Sequence, residues 1–276
     1  MRRDRRLRLL TYNIQSGLTT KRYSDYFTRG WKHVLPVPSR MVNLDAIASL
    51  IAPYDVVGLQ EVDAGSLRSG FLDQAHYLAD RARFPHFYEQ TNRRVGRISR
   101  HSNVVLSRVR PEQIQDFKLP GVIKGRGALM VRFGDETQGS VLDVYVVHLA
   151  LSNRARATQL AYLAERMRQQ AHVVLMGDLN CTSGGATMRA FRDAAGLNEP
   201  VPGLRTFPSW KPTRQLDHIL VSRDIPVHSV KVLPQRYSDH LPIEIQLDIP
   251  ADVQMTPAPN PAQALPAQHW QHGDGR

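Results

Sequence analysis

The residues best suited to chemistry stand at the ends of apolar runs. In Met176-Gly-Asp-Leu-Asn180 an apolar strand delivers Asp178 and Asn180 two positions apart, hence on one face. Such a pair holds a water and a phosphate oxygen together, although a strand-end turn in which both side chains cap backbone groups has the same spelling. In Tyr237-Ser-Asp-His-Leu-Pro-Ile243, Asp239 offers a carboxylate suited to a hard divalent cation, and His240 offers an imidazole for a phosphoryl oxygen. Leu216-Asp-His-Ile-Leu220 sets Asp217 inside an apolar strand, where a carboxylate demands a partner and a histidine is the natural one. His218 follows it and points the other way, which suits a structural role. Leu59-Gln-Glu-Val-Asp63 adds Glu61 as a metal-seeking carboxylate, and Thr11-Tyr-Asn-Ile14 adds Asn13. His148 closes a further apolar run.

The elements that carry these residues read as strands at 7–14, 55–59, 103–107, 128–133, 141–148, 172–176, 216–222, 227–233 and 243–247, each an apolar, β-branched run bounded by turn residues. Helical spacing appears at Leu160, Leu163, Ala164 and Met167 behind a Ser152-Asn153 cap, and at 39–52, 72–83 and 186–195. Strands alternate with helices, while hairpin-like spacings near 103–133 and 216–247 call for antiparallel pairing. An α/β architecture follows: mixed sheets packed as a sandwich and covered by helices. Residues 1–6 form a basic extension and 7–249 one domain, and the Pro/Ala/Gln/His-rich stretch 250–276 reads as a disordered tail.

The net charge of +11 and pI near 10.1 favour a polyanionic partner: nucleic acid, a phosphorylated small molecule or an anionic membrane surface touched peripherally. The single cysteine, Cys181, cannot form an internal disulfide and fits a small buried apolar side chain. No apolar stretch approaches the roughly 18 to 20 residues that span a bilayer. The expectation is a cytoplasmic monomer, possible contact with the inner membrane face included.

Taken in order, Asn at the end of the first strand, Gln-Glu, His-Leu, Gly-Asp-x-Asn, Asp-His and Ser-Asp-His resemble the endonuclease/exonuclease/phosphatase superfamily over residues 7 to 248. Asn103-Val-Val-Leu-Ser-Arg108, Gly125-Arg-Gly-Ala-Leu129 and Thr206-Phe-Pro-Ser209 add to the likeness. The resemblance implies a four-layer α/β sandwich with two packed, mixed, mostly antiparallel sheets. It also implies a site that uses Mg²⁺ or Mn²⁺. Glu61 would be the principal ligand, helped by Asn13 and Asp239; Asp178 would orient or deprotonate the attacking water, and Asn180 would hold a phosphate oxygen. His240 would stabilise the transition state, His148 would aid phosphate binding or the leaving group, and Asp217 would pair with one of these histidines. Gln15 departs from the pattern, since many relatives place His or Asp there; it brings no charge, but as a further candidate metal ligand it can coordinate through its carbonyl or hydrogen-bond a metal-bound water. Asn103 and Arg126 are candidate phosphate contacts, with turn-capping and an ion pair as their plain alternatives.

Substrate choice is expected in two loop segments, 17–38 and 66–101, the second carrying Arg93, Arg94, Arg97 and Arg100. Arg93 and Arg97 are expected to steer phosphate. Residues 181–215 lack the long aromatic insert of abasic-site endonucleases, so the pattern leans toward hydrolysis of a phospholipid or small phosphodiester. A Mg²⁺-dependent nuclease acting on DNA or RNA is the alternative, and a non-catalytic polyanion-binding module of the same fold the second.

Overall fold

The computed structural model describes residues 5–18, 39–95, 99–121, 125–137, 139–255 and 268–269. Two sheets face one another. The first has the order β11-β12-β1-β2-β4-β3-β13, formed by Arg6–Asn13 (β1), Val56–Asp63 (β2), His86–Val95 (β3), Ser99–Ser107 (β4), Val227–Val232 (β11), Ile243–Asp248 (β12) and Gln268–His269 (β13). The second has the order β5-β6-β7-β8-β10-β9, formed by Gln113–Lys118 (β5), Gly127–Phe133 (β6), Leu142–His148 (β7), His172–Asp178 (β8), Leu197–Asn198 (β9) and Asp217–Ser222 (β10). Helices Ser39–Ile51 (α1) and Gln74–Arg81 (α2) cover the outer face of the first sheet, and Asn153–Met167 (α3) and Ala186–Ala195 (α4) that of the second. This is the expected four-layer sandwich.

The layers follow from period-two alternation in strands that bury both faces. In β1, Leu7 and Leu9 enter the core between the sheets with Val56, Val146 and Met176, whereas Leu10 and Tyr12 pack under α1 with Ile47 and Ile51. Leu160, Leu163, Ala164 and Met167 of α3 form the stripe that their spacing predicted, against Val173 and Leu175. At Gly58 the sheets come so close that a Cβ would lie 2.6 Å from Val146 Cγ2 and 2.9 Å from Met176 Cε, so no larger residue fits without repacking.

Besides the two-residue strands β9 and β13, two longer strands escaped the sequence reading. β5, an edge strand, is largely polar, and β3 runs through the segment expected to be a substrate loop. Most of 66–101 is α2, β3 and the start of β4, paired from His86↔Ser107 to Val95↔Ser99. The charged side chains of this hairpin hide a backbone that is laddered throughout except at a register shift between Thr91 and Arg93. The expected loop at 17–38 lies outside the described residues beyond Leu18, as do Arg97 and the side chain of Arg93.

The chain continues on the sandwich past residue 249. Arg5 donates to Pro250 O and Val253 O at 2.5 and 3.2 Å, Val253 is buried, and His172 lies 2.6 Å from Asp224 and 3.1 Å from Asp252. The expected tail therefore cannot begin at 250. The remainder of 250–276, apart from the pairing of Gln268–His269 with β3, lies outside the described residues.

Candidate active site

The topology gathers the polar strand ends at one edge. β1 runs parallel to β2, with Asn13 beside Gln60; β7 runs parallel to β8, with His148 beside Asp178. β10 enters antiparallel to β8 and sets Asp217 beside the same Asp178. Gly177 makes the close passage possible: at φ +143°, a Cβ there would lie 2.0 Å from Val147 O.

Glu61 sits on a register shift in β2 between Leu59 and Val62, with φ +57°. A non-glycine residue in this region is strained, and the bulge turns its side chain out of the ladder into the cleft. Ser16 Oγ fixes it by donating to Glu61 O at 2.8 Å. The Asn13 side-chain amide then bridges two acids, donating to Glu61 Oε1 at 3.3 Å and Asp178 Oδ2 at 3.1 Å, while its carbonyl accepts from the Gln15 N–H at 3.2 Å. Gln15 itself is buried in the 3₁₀ turn Gln15–Gly17.

Asp178 is at the centre. Its Oδ1 accepts the Asn180 N–H at 3.0 Å, and its Oδ2 lies 3.5 Å from His148 Nε2 and 3.9 Å from His240 Nε2. Burial, reinforced by the charges of Asp217 and Glu61 and opposed by His240 and the Asn180 N–H, pushes its carboxyl up to about 7. Asn180, at φ +53°, donates its side-chain amide to Leu149 O at 3.0 Å and so ties the ends of β7 and β8 together.

Asp217 pairs with His240, Oδ2 to Nδ1 at 2.8 Å, and the same oxygen accepts the Thr206 hydroxyl at 2.5 Å. This bond directs Nε2 of His240 toward Asp178. Burial works against a charged imidazole here, but the Asp217 and Asp178 carboxylates overcome it and hold His240 well above the ordinary histidine range. His148 goes the other way: burial, with Arg126, His240 and His101 adding to it, holds it well below that range. Two imidazoles pushed in opposite directions thus flank one carboxyl, an arrangement that suits acid–base work.

A consequence is testable. A pKa raised in the folded protein means that the His240 charge is present at neutral pH and lost only as pH rises through the raised value. Asp217→Asn removes the strongest of the influences that favour the charge, so the alkaline limb of kcat/KM is expected to move toward acid. An unmoved limb in a stopped-assay pH profile would mean that His240 does not act as a cation.

A divalent metal, implied by the family resemblance, fits part of this donor set. Burial and then the charge of Asp239 raise the Glu61 carboxyl, a repulsion between hard oxygen donors that a cation would remove. Asp239 is buried and receives the Ser238 hydroxyl at 3.0 Å, and Ser209 N–H donates to its main-chain oxygen at 2.7 Å. Donor atoms of Asp178, Asp217 and His240 also lie within 4.8 Å of one another. There, however, the Asp217–His240 hydrogen bond already occupies one donor of each, so Glu61 and Asp239 are the better pair.

Other expected residues are placed differently. Asn103 turns its amide away into the wall, donating to Gly127 O at 3.0 Å and Gln90 Oε1 at 3.3 Å, which links the two sheets. It lines the cleft but spends its donors on structure. Arg126 lines the cleft too, near enough to act on Glu61 and His148. His218 is structural as expected, held between Glu199 Oε1 and Cys181 O at 2.8 Å each, and steadies the loop after Asn180. Thr206 and Glu199 were missed as supports. The signal was present in Thr206, a hydroxyl eleven positions before a buried acid, but its partner is visible only in the fold.

Comparison with known proteins bears on the family and the fold. The model of the Endonuclease/Exonuclease/phosphatase family matches residues 10–240. The uncharacterized protein YbhP of Escherichia coli K12 is 30% identical over 258 residues, 88% of this chain and 96% of that protein. The chain superposes with TM-score 0.69 on an endonuclease/exonuclease/phosphatase from Beutenbergia cavernae, at 21% identity over 90% of this chain and 72% of the other. It superposes with TM-score 0.64 on a mannosyl-6-phosphatase of Bacteroides thetaiotaomicron, at 20% identity over 88% of this chain and all of the other. At these identities the solved structures bear on the fold.

Proposed function

The chain belongs to the endonuclease/exonuclease/phosphatase family, and from that premise we propose that it is a divalent-metal-dependent phosphoesterase that hydrolyses a phospholipid or small phosphodiester. The carrying observation is the position of Asp178, a carboxyl raised toward neutrality between Asn13, His148 and His240. Such a group accepts a proton from an attacking water near physiological pH. The charged His240 Nε2 faces the same space and neutralises charge that develops on the phosphoryl oxygens in line with that attack. Neutral His148, on the opposite side, hydrogen-bonds the phosphate or the departing oxygen, and Asn180 fixes the Asp178 carboxylate through its N–H. Mg²⁺ or Mn²⁺, when bound, supplies Lewis-acid polarisation of a phosphoryl oxygen, and Glu61 and Asp239 would hold it with Asn13 and Gln15 beside them.

The lean to a lipid or small substrate rests on the cleft. It encloses about 900 Å³ and carries Ala150, Leu151 and Ala155 among its lining, an apolar wall that suits a compact organic group. The nuclease reading rests on the net charge of +11, which equally suits an anionic membrane face. No helix among the described residues is long and apolar enough to cross a membrane. Action as a monomer in the cytoplasm or at a membrane surface is part of the proposal.

Bis-p-nitrophenyl phosphate, assayed with Mg²⁺ or Mn²⁺ and with chelator, tests the activity. Turnover that chelator abolishes is expected; turnover indifferent to chelator, or none with either metal, overturns the proposal. Plasmid DNA, RNA and mixed phospholipid vesicles incubated in parallel separate the substrates, and metal-dependent nicking faster than lipid hydrolysis would replace the lipid lean by the nuclease.

A further inference from the structure

The cleft is much larger than one phosphate needs, and its charge is uneven. Glu61 is the only carboxylate among its described lining residues. The wall also carries Arg126, which lies near Glu61 and His148, together with His101 and Arg154, and Ser152, Ala155 and Thr158 from the start of α3. We infer that this wall binds a second anionic group of the substrate, so that the preferred phosphoester carries another phosphate on its organic part, with Arg154 as the specificity-determining residue. The inference rests on the phosphoesterase reading and deepens it.

Three observations converge on it. First, Arg154 lies in the first turn of α3, where the exposed N–H groups already make a positive end and where no acidic residue stands. A cation placed there is unfavourable for the helix, and an anion in the cleft would offset both. Among the described residues no carboxylate pairs with Arg154, so its charge is available to a ligand. Secondly, the wall is built rather than loose. Arg156, buried, donates to Ala150 O at 3.2 Å and Leu151 O at 2.9 Å and also bonds Asn153 Oδ1. Gln159, also buried, accepts the Ala150 N–H at 2.9 Å and donates to Pro120 O at 3.2 Å. These bonds hold 150–153, hence the start of α3, at a set distance from His148. Thirdly, Leu151 is 75% exposed beside that wall and Ala150 and Ala155 line it, a surface on which the organic part linking two phosphates can lie.

The test is competition against bis-p-nitrophenyl phosphate hydrolysis by matched compounds with one or two phosphates. Glucose 1-phosphate and glucose 1,6-bisphosphate form the soluble arm; lysophosphatidylinositol and its 4-phosphate, in neutral detergent micelles, form the lipid arm. The second phosphate is expected to lower Ki about tenfold or more in at least one arm, the arm identifying the source. In Arg154→Ala that ratio is expected to fall below about threefold, and Arg154→Lys to restore part of it. Arg168→Ala, which removes the same charge from the other end of α3, should keep the ratio. Equal Ki values within both pairs, or a ratio that survives Arg154→Ala, would overturn the inference. Should the reporter not be hydrolysed at all, the phosphoesterase reading fails by itself, and calorimetric titration of the same pairs then decides on the wall, with equal affinities overturning it.

Discussion

Asp178→Asn is expected to reduce kcat by about 10³-fold or more, with KM changed by only a few-fold, in the metal-dependent hydrolysis of bis-p-nitrophenyl phosphate. The Asp178 carboxylate lies 3.5 Å from His148 and 3.9 Å from His240, where the proposed mechanism has it take a proton from water. The substitution keeps shape but removes basicity. Because burial raises the Asp178 carboxyl to about 7 and the ionised form is the base, wild-type activity is expected to rise with pH on the acid side through this group. A bound cation, itself a favourable neighbour for the carboxylate, moves that limb to lower pH, so the limb should shift with metal concentration. In Asp178→Asn the acid limb assigned to it should vanish. A variant that retains a tenth of wild-type kcat would remove Asp178 from the role of base.

Glu61→Gly is the second large effect, and it is expected to act in opposite directions on activity and stability. Glu61 occupies φ +57°, a conformation that costs a side-chain-bearing residue about 1–3 kcal/mol and costs glycine little. Its carboxyl is also raised by burial and by Asp239, so an unliganded Glu61 is an electrostatic burden. Glycine relieves both. The melting temperature without added metal should therefore hold or rise, while metal-dependent turnover falls about 10³-fold or more and saturable Mg²⁺ or Mn²⁺ binding in calorimetry is lost. The combination matters, because a destabilised and inactive variant would show only that the bulge is needed for folding. Wild-type metal affinity in Glu61→Gly would move the metal site elsewhere, with the Asp178, Asp217 and His240 cluster the first place to look.

Much of the site was legible because it is assembled from local signals. An apolar run followed by one acid or amide marks a strand end: Asn13, His148 and Asp178 close β1, β7 and β8, while Glu61 sits on the bulge within β2, Asp217 opens β10 and His240 precedes β12. The legibility failed where side-chain character and backbone pairing part company. His86–Val95 is a strand rich in polar and charged residues, stabilised by its ladder to Ser99–Ser107, and nothing in its own composition separates it from a basic loop. Asn103 failed for a related reason. Its motif pointed to phosphate, but Gln90 and Gly127, brought by two other strands, take both amide donors.

By itself the sequence determined the layered α/β architecture, the order of the strands that carry the polar ends, and the residue types at the site. These depend on periodicity and apolar runs, which are properties of neighbouring residues in the chain. Only the tertiary structure decided that Asp217 takes His240 rather than His148, that Asn13 reaches Asp178, 165 positions away, and links it to Glu61, and that the two histidines are pushed in opposite directions. Each of these depends on through-space distance and on burial, and electrostatic energy inside a protein varies steeply with both.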